Sequence, residues 1–323
     1  MKKLTIWANP FLTQSANEFL LSETKLHRLV FGEKTEHVLD AGAEDRQILE
    51  ADIVFGQPDA ATVLRSNKLR WIHLSSAGYA PYDTAEFREG LRALSAVLTN
   101  SSGVFDEPCA QHLMAWLLAD ARQLYPSHDN QRSSRAWPQN ELREKTRLLA
   151  GQTILIVGFG AIGRRLAELL APYSVRLIGY RRTPQPESRI RVIGPDTLPA
   201  AMAEADHVVN ILPQSAETDQ FFDAPRLRQI KPGARYYTIG RGATTDQEAL
   251  LQCLHAGHLS AAYLDVTTPE PLPSDHPLWS APNCFITPHT GGGHADEALR
   301  IVKHFVDNLH RFERGEKLID AVF

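Results

Sequence analysis

The sequence predicts an α/β protein built as two doubly wound parallel-sheet domains with a cleft between them. Three observations point there. At 323 residues the chain is long for one core, and its 43% hydrophobic residues are enough to bury two. Short apolar runs alternate with stretches of helical spacing, the pattern of parallel strands covered by helices on both faces. A polar, aperiodic stretch interrupts that alternation and separates two series of it.

In the first series "LTIWA", "HVLDA", "ADIVFG", "WIHLSS" and "AVLTN" read as strands, separated by segments of helical spacing such as "QSANEFLLSETKLHRLVFG". The amphipathic "DEPCAQHLMAWLLADARQLY" reads as a helix leaving this unit. Residues 126–151, "PSHDNQRSSRAWPQNELREKTRLLAG", read as a long loop by composition, a candidate for function or assembly. From Gln152 the strands resume as "TILIVGF", "VRLIGY", "HVVNIL", "ARYYTIG", "SAAYLDV" and "CFIT". The final helix, "ADEALRIVKHFVDNLHRFERG", carries one apolar face in Leu299, Val302, Phe305, Val306, Leu309 and Phe312.

Composition narrows the function. A formal net charge of −4, with Lys and Arg dispersed, argues against nucleic acid or an anionic membrane as partner and favours a small molecule. The start, "MKKLTIWANPFLTQ", lacks the apolar core and cleavage site of a secretion signal, and no stretch reaches transmembrane length, so the cytoplasm is expected. The three cysteines, Cys109, Cys253 and Cys284, are far apart and unpaired by motif. Neither a disulfide framework nor a metal site follows.

The sharpest local signal is "TILIVGFGAIGRRLAELL". Gly158, Gly160 and Gly163, with Ala161 and Ile162 between, form G-x-G-x-x-G between an apolar strand and a helix. The first glycine makes the tight turn, the second admits a pyrophosphate, and the third lets helix pack on strand; the amides at the helix start hold the phosphates. At the end of the next strand, "VRLIGYRRTPQP", an acid would take the ribose hydroxyls of NAD. Arg181 and Arg182 stand there instead, suited to a 2′-phosphate, so NADP(H) is expected over NAD(H).

Three later segments each follow a strand: "YYTIGRGATTD", "AYLDVTTPEPLPSDHPLW" and "ITPHTGGG". In a doubly wound sheet ligands bind outside the carboxyl ends of strands, which would gather Arg241, Glu270 and His289. Reduction of a 2-keto acid needs such a trio. A planar guanidinium suits the carboxylate, an imidazole can deliver a proton to the carbonyl oxygen, and a neighbouring carboxylate favours the protonated imidazole; the cofactor supplies the hydride.

From about Asp52 onward these motifs, in this order, resemble the D-isomer-specific 2-hydroxyacid dehydrogenase family, of the glyoxylate and hydroxypyruvate reductase type. "LLAGQTILIVGFGAIG", "ILPQSAET", "IKPGARYYTIGRGATTDQEALLQCLHAGHLSAAYLDV" and "PEPLPSDHPLWSAPNCFITPHTGG" carry the resemblance. It implies a Rossmann cofactor domain, residues 101–291, and a flavodoxin-like substrate domain, residues 1–100 completed by 292–323. It assigns Arg241 to substrate anchoring, His289 to acid/base chemistry and Glu270 to pairing with it. It places Leu212, Pro213 and Thr218 over the cofactor, Asp265 at the nicotinamide carboxamide, and Ile239, Gly240 and Gly291 beside it. In the first domain the loop of Ala77, Gly78 and Tyr79 takes the other side of the carboxylate. Tyr79 departs from the small aliphatic residue common there, and His112 gets no catalytic role. His73 and His294 are weaker candidates to line the cleft. The resemblance also implies a homodimer, with Trp137 reaching toward the neighbouring subunit. A rival from another class is a dinucleotide-sensing, corepressor-like interaction protein with little turnover.

Overall fold

The computed structural model describes residues 3–33, 42–187 and 190–323. The strand expected at "HVLDA", residues 37–41, lies outside the described residues. The chain divides into two compact units, Met1–Phe105 with Gly293–Phe323, and Asp106–Gly292.

The first unit holds five parallel strands: β1 (Thr5–Ala8), β2 (Arg28–Phe31), β3 (Ile53–Gly56), β4 (Trp71–Leu74) and β5 (Val97–Thr99), in the order β2-β1-β3-β4-β5. Every residue of β3 and β4 is buried, because helices cover both faces. On one face Ile6, Phe55 and Trp71 meet Val302, Phe305 and Leu309 of the helix Glu297–Arg314. Phe305 stacks on Phe55 at 4.1 Å and on Trp71 at 5.2 Å, so its loss to alanine should cost about 3 to 5 kcal/mol. On the other face Val54, Ile72 and Leu98 pack with Phe87 and Leu91 of the helix Ala85–Leu94, which Thr84 caps through the Phe87 amide at 3.1 Å.

One element differs from the sequence reading. The helix begun at Gln14 ends at Glu23, where the Thr24 amide and hydroxyl both bond to the Leu20 carbonyl, and Arg28–Phe31 is a strand rather than the helix's last turns. A four-residue apolar run fits either period, and pairing with β1, Thr5 opposite Arg28, decides it.

The second unit holds seven parallel strands: β6 (Thr153–Val157), β7 (Arg176–Tyr180), β8 (Arg191–Ile193), β9 (His207–Asn210), β10 (Arg235–Thr238), β11 (Ala261–Leu264) and β12 (Cys284–Ile286). Their order is β12-β11-β10-β9-β6-β7-β8, so strand order reverses between β6 and β9. This is the switch point at which doubly wound sheets open toward a ligand. The three-residue β8 was not anticipated. Nor were the helices Leu124–Arg132 and Gln139–Lys145, which occupy much of the expected loop. Neither helix buries a residue, so neither leaves an apolar stripe in the sequence.

Candidate active site

The glycine motif sits at the switch point of the second unit. Gly158 has φ +93°, and a Cβ there would lie 2.8 Å from the backbone carbon and oxygen of Ile211, so conformation and space both require glycine. Gly160 precedes the helix Ala161–Leu170 and caps it with no side chain. The amides of Ala161, Ile162 and Gly163 have no acceptor among the described residues, which leaves the positive end of the helix open to an anion. A Cβ on Gly163 would press at 3.1 Å on Ile156 and Phe159, consistent with close helix-on-strand packing.

At the end of β7 the two arginines differ. Arg182 pairs with Glu217, both well exposed, whereas Arg181 has no carboxylate partner among the described residues. Glu217 belongs to the loop after β9. There Leu212 is buried and Pro213 exposed, and the Thr218 hydroxyl closes the loop on itself by donating to the Pro213 carbonyl at 2.6 Å.

The three reactive candidates share this unit. Arg241 follows β10 and is half-buried; its Nη1 donates to the Gly240 carbonyl at 2.7 Å. Burial lowers its pKa, and the Glu270 charge opposes that. Glu270 follows β11: its Oε1 accepts the Thr267 amide at 2.9 Å and its Oε2 lies 2.8 Å from Nδ1 of His289. Burial pushes the Glu270 carboxyl up, but the His289 bond, the Thr267 amide and the charges of His289 and Arg241 together hold it below its ordinary value. His289 follows β12 with φ +52°, a left-handed conformation that costs a non-glycine residue about 1 kcal/mol or more.

Asp265, at the end of β11, holds that strained turn in place. Its Oδ1 accepts the Thr287 hydroxyl at 2.6 Å and the Thr290 amide at 2.9 Å, its Oδ2 accepts the Gly291 amide at 2.9 Å, and its carbonyl accepts the His289 amide at 2.8 Å. A Cβ on Gly291 would stand 2.7 Å from Asp265 Oδ2 and 2.5 Å from Ile239, so only glycine lets this loop approach. His112 reaches the same cluster through Thr287, at 3.2 Å, with its imidazole pulled down by burial.

In the first unit, Ala77, Gly78 and Tyr79 follow β4. The amides of Ala77 and Gly78 have no acceptor among the described residues, while Asn100 donates to the Ala77 carbonyl at 2.7 Å and Ser76 to that of Gly78 at 2.6 Å. The loop is thus fixed through its carbonyls with amides to spare. His73 lines no opening. Its ring is wholly buried, held by Thr99 at 2.7 Å and Ser101 at 3.3 Å, because every position of β4 lies in the core.

Sequence reasoning missed the polar cluster of Asn210, Tyr236, Thr244 and Thr245, all at most 5% exposed. Only the polar residue ending the apolar run "HVVN" hinted at it. Among the described residues no group of three or more His, Cys, Asp or Glu could hold a metal ion, and no described helix is long and apolar enough to cross a membrane.

Comparison with known proteins agrees with the fold. Residues 114–291, more than half of the chain, match the family model described as D-isomer specific 2-hydroxyacid dehydrogenase, NAD binding domain. The chain is 32% identical over 267 residues to glyoxylate/hydroxypyruvate reductase B of Klebsiella pneumoniae, covering 78% of this chain and 77% of that one. It is 31% identical over 248 residues to a glyoxylate reductase of Pyrococcus furiosus, covering 74% and 73%. Among solved structures, a D-isomer specific 2-hydroxyacid dehydrogenase family protein from Aeromonas salmonicida aligns with a TM-score of 0.76 at 28% identity, covering 100% of this chain and 99% of that chain. The chain therefore belongs to the D-isomer-specific 2-hydroxyacid dehydrogenase family of oxidoreductases.

Proposed function

We propose that this chain reduces small 2-keto acids, such as glyoxylate or hydroxypyruvate, to D-2-hydroxy acids with NADP(H) in preference to NAD(H). The observation that carries the reading is the His289–Glu270 pair at 2.8 Å, near enough to Arg241 for its charge to act on Glu270. The residues present fit a dinucleotide: open helix amides for its pyrophosphate, Arg181 and Arg182 for a 2′-phosphate, Leu212, Pro213 and Thr218 over it, and Ile239, Gly240, Asp265 and Gly291 toward the nicotinamide. When bound, the cofactor supplies the hydride.

The chain's own residues do the rest. Arg241 pairs with the substrate carboxylate in a half-buried setting, where an ion pair is stronger than in water. In the first unit, the amides of Ala77 and Gly78, without an acceptor among the described residues, are suited to a carboxylate, and Tyr79 beside them to limiting substrate size. His289 Nε2 has no hydrogen-bond partner among the described residues, so it is available to give its proton to the carbonyl oxygen. Glu270 fixes the ring through Nδ1 and sets a carboxylate beside it. In this reading residues 1–100 with 292–323 serve substrate and 101–291 serve cofactor, and the enzyme acts as a cytoplasmic homodimer.

The test is oxidation of NADPH and of NADH with glyoxylate, hydroxypyruvate and phenylpyruvate. Turnover faster with NADPH supports the proposal, and dinucleotide binding without turnover of any keto acid overturns it. That second outcome is what the dinucleotide-sensing, corepressor-like reading requires, and the relatives named above, both reductases, do not favour it.

A further inference from the structure

A buried polar network lies directly beneath Arg241, and nothing in the proposed chemistry uses it. Asn210, wholly buried at the end of β9, donates through Nδ2 to Thr244 Oγ1 at 2.8 Å and to the Tyr236 hydroxyl at 2.9 Å. Its Oδ1 accepts the Leu212 amide at 3.1 Å, which fixes the orientation of the side-chain amide. Thr244 Oγ1 donates onward to the Arg241 carbonyl at 2.7 Å, and the Tyr236 hydroxyl lies 2.6 Å from Thr245 Oγ1. An amide nitrogen only donates, so both hydroxyls accept from Asn210 and must send their own protons outward, to Arg241 and to Thr245. Burial pushes the Tyr236 phenol up, which keeps it a neutral donor.

This network joins two loops. Leu212 opens the loop after β9, and Arg241 opens the turn after β10. They also touch directly, since a Cβ at Gly240 would stand 2.4 Å from the Leu212 carbonyl oxygen. Burying four polar side chains carries a desolvation cost that apolar residues of the same shape would avoid. What the polar set adds is direction: each group accepts only one arrangement of its neighbours.

We infer that Asn210 and Thr244 are positioning residues that couple the dinucleotide loop to the arginine. Contact of a bound dinucleotide with residues 212–218 would pass through the Leu212 amide and Asn210 to Thr244, and so to the backbone of Arg241. The inference rests on the reading of Arg241 as the carboxylate anchor, and what it adds is the route, through Asn210 and Thr244, by which a bound dinucleotide acts on that anchor.

Thr244→Val keeps the shape and removes the hydroxyl, whereas Thr244→Ser keeps the hydroxyl. Binding of oxamate, a non-reacting keto-acid analogue, is measured by calorimetry with and without NADPH, alongside steady-state kinetics and thermal melting. The expected result for Thr244→Val is a KM for the keto acid raised about three- to tenfold, the worth of one buried hydrogen bond, with kcat and the affinity for NADPH in the absence of keto acid within about twofold of wild type. NADPH should strengthen oxamate binding in the wild type and in Thr244→Ser but not in Thr244→Val. If Thr244→Val fails to fold, Tyr236→Phe removes the second branch and should raise the same KM by a smaller factor. Unchanged KM and unchanged enhancement in the folded variants, or a serine variant as impaired as valine, overturns the coupling while leaving the proposed function standing. A wild type that binds no oxamate in either state overturns both.

Discussion

Nδ1 of His289 lies 2.8 Å from Oε2 of Glu270, and the other oxygen of that carboxylate is held by the Thr267 amide at 2.9 Å. One carboxylate is therefore oriented from both sides, and it faces the imidazole with a full charge because its own pKa is held down. The left-handed backbone at His289 is fixed at the same time by Asp265. The pair is preorganised rather than assembled on demand.

Glu270→Gln should accordingly lower kcat for the keto acid by roughly 10²-fold, because a neutral amide no longer sets a charged acceptor against Nδ1 and can turn its NH2 toward the ring. The check is kcat in both proteins, with NADPH affinity measured alongside. An unchanged kcat would show that the carboxylate does not orient the reacting ring.

His289→Ala should lower turnover by about 10² to 10⁴ and leave NADPH affinity nearly as it was. Stopped-flow turnover together with NADPH fluorescence titration separates the two quantities. A comparable loss in both would make His289 a cofactor ligand first.

Cofactor choice should depend on the exposed ion pair between Arg182 and Glu217. Replacing Arg181 and Arg182 with uncharged residues should weaken NADPH relative to NADH by roughly 2 to 4 kcal/mol. Glu217→Gln should do the opposite and by less, because it frees Arg182 from an exposed pair worth about 1 kcal/mol at most. The ratio of KM values for NADPH and NADH in the three proteins decides this, and a wild type that prefers NADH removes its basis.

The fold was legible because it follows from simple periodicities, and the Glu270–His289 contact because both residues stand in segments that follow strands. Strands such as β3 and β6, buried at every position, show as largely apolar runs, and Arg241, Glu270 and His289 follow β10, β11 and β12. What escaped was whatever buries little or pairs at long range. β8 has three residues, and the helices Leu124–Arg132 and Gln139–Lys145 bury none, so neither period registers. Asn210 and Thr244 are unremarkable polar residues until the register of β9 on β10 sets Asn210 opposite Thr238 and brings the following turn within reach. His73 misled for the converse reason: histidine suggests chemistry, but on a strand buried throughout it is core.

Stability should fall on mild acidification, and His207 supplies one cause. Its ring is buried between Tyr237, 3.0 Å from Nδ1, and Gln152, 2.5 Å from Nε2, a setting suited to the neutral form, and burial pulls its pKa down to about 4 against the opposing charges of Asp120 and Asp206. In the unfolded chain a histidine titrates near 6.5, roughly. The stabilising contribution is therefore full above that value and is lost as pH falls toward 4, the loss reaching about 3 kcal/mol there. Urea unfolding at several pH values should show a shallower acid dependence in His207→Gln than in wild type; equal slopes would assign the loss elsewhere.

Trp137 presents the largest unsatisfied apolar surface in the described chain, with 89% of it exposed. Its backbone is ordered, since its carbonyl accepts the Gln139 amide at 2.9 Å and Asn130 holds the neighbouring Ala136 carbonyl at 2.7 Å. A side chain so exposed is no anchor within its own chain, and leaving it in water forgoes roughly 2 to 3 kcal/mol of burial. Leu124, just before residues 126–151, and Leu148, within them, are also exposed, at 56% and 71%. Exposed apolar groups on an otherwise polar stretch suit contact with a second copy of the chain. Trp137→Ala should then loosen a homodimer, or raise the KM for bulkier keto acids, with little change in NADPH affinity. Sedimentation velocity across concentration, paired with kinetics on glyoxylate and phenylpyruvate, tests it. An unaltered association constant and unaltered substrate preference would leave Trp137 a solvated surface residue.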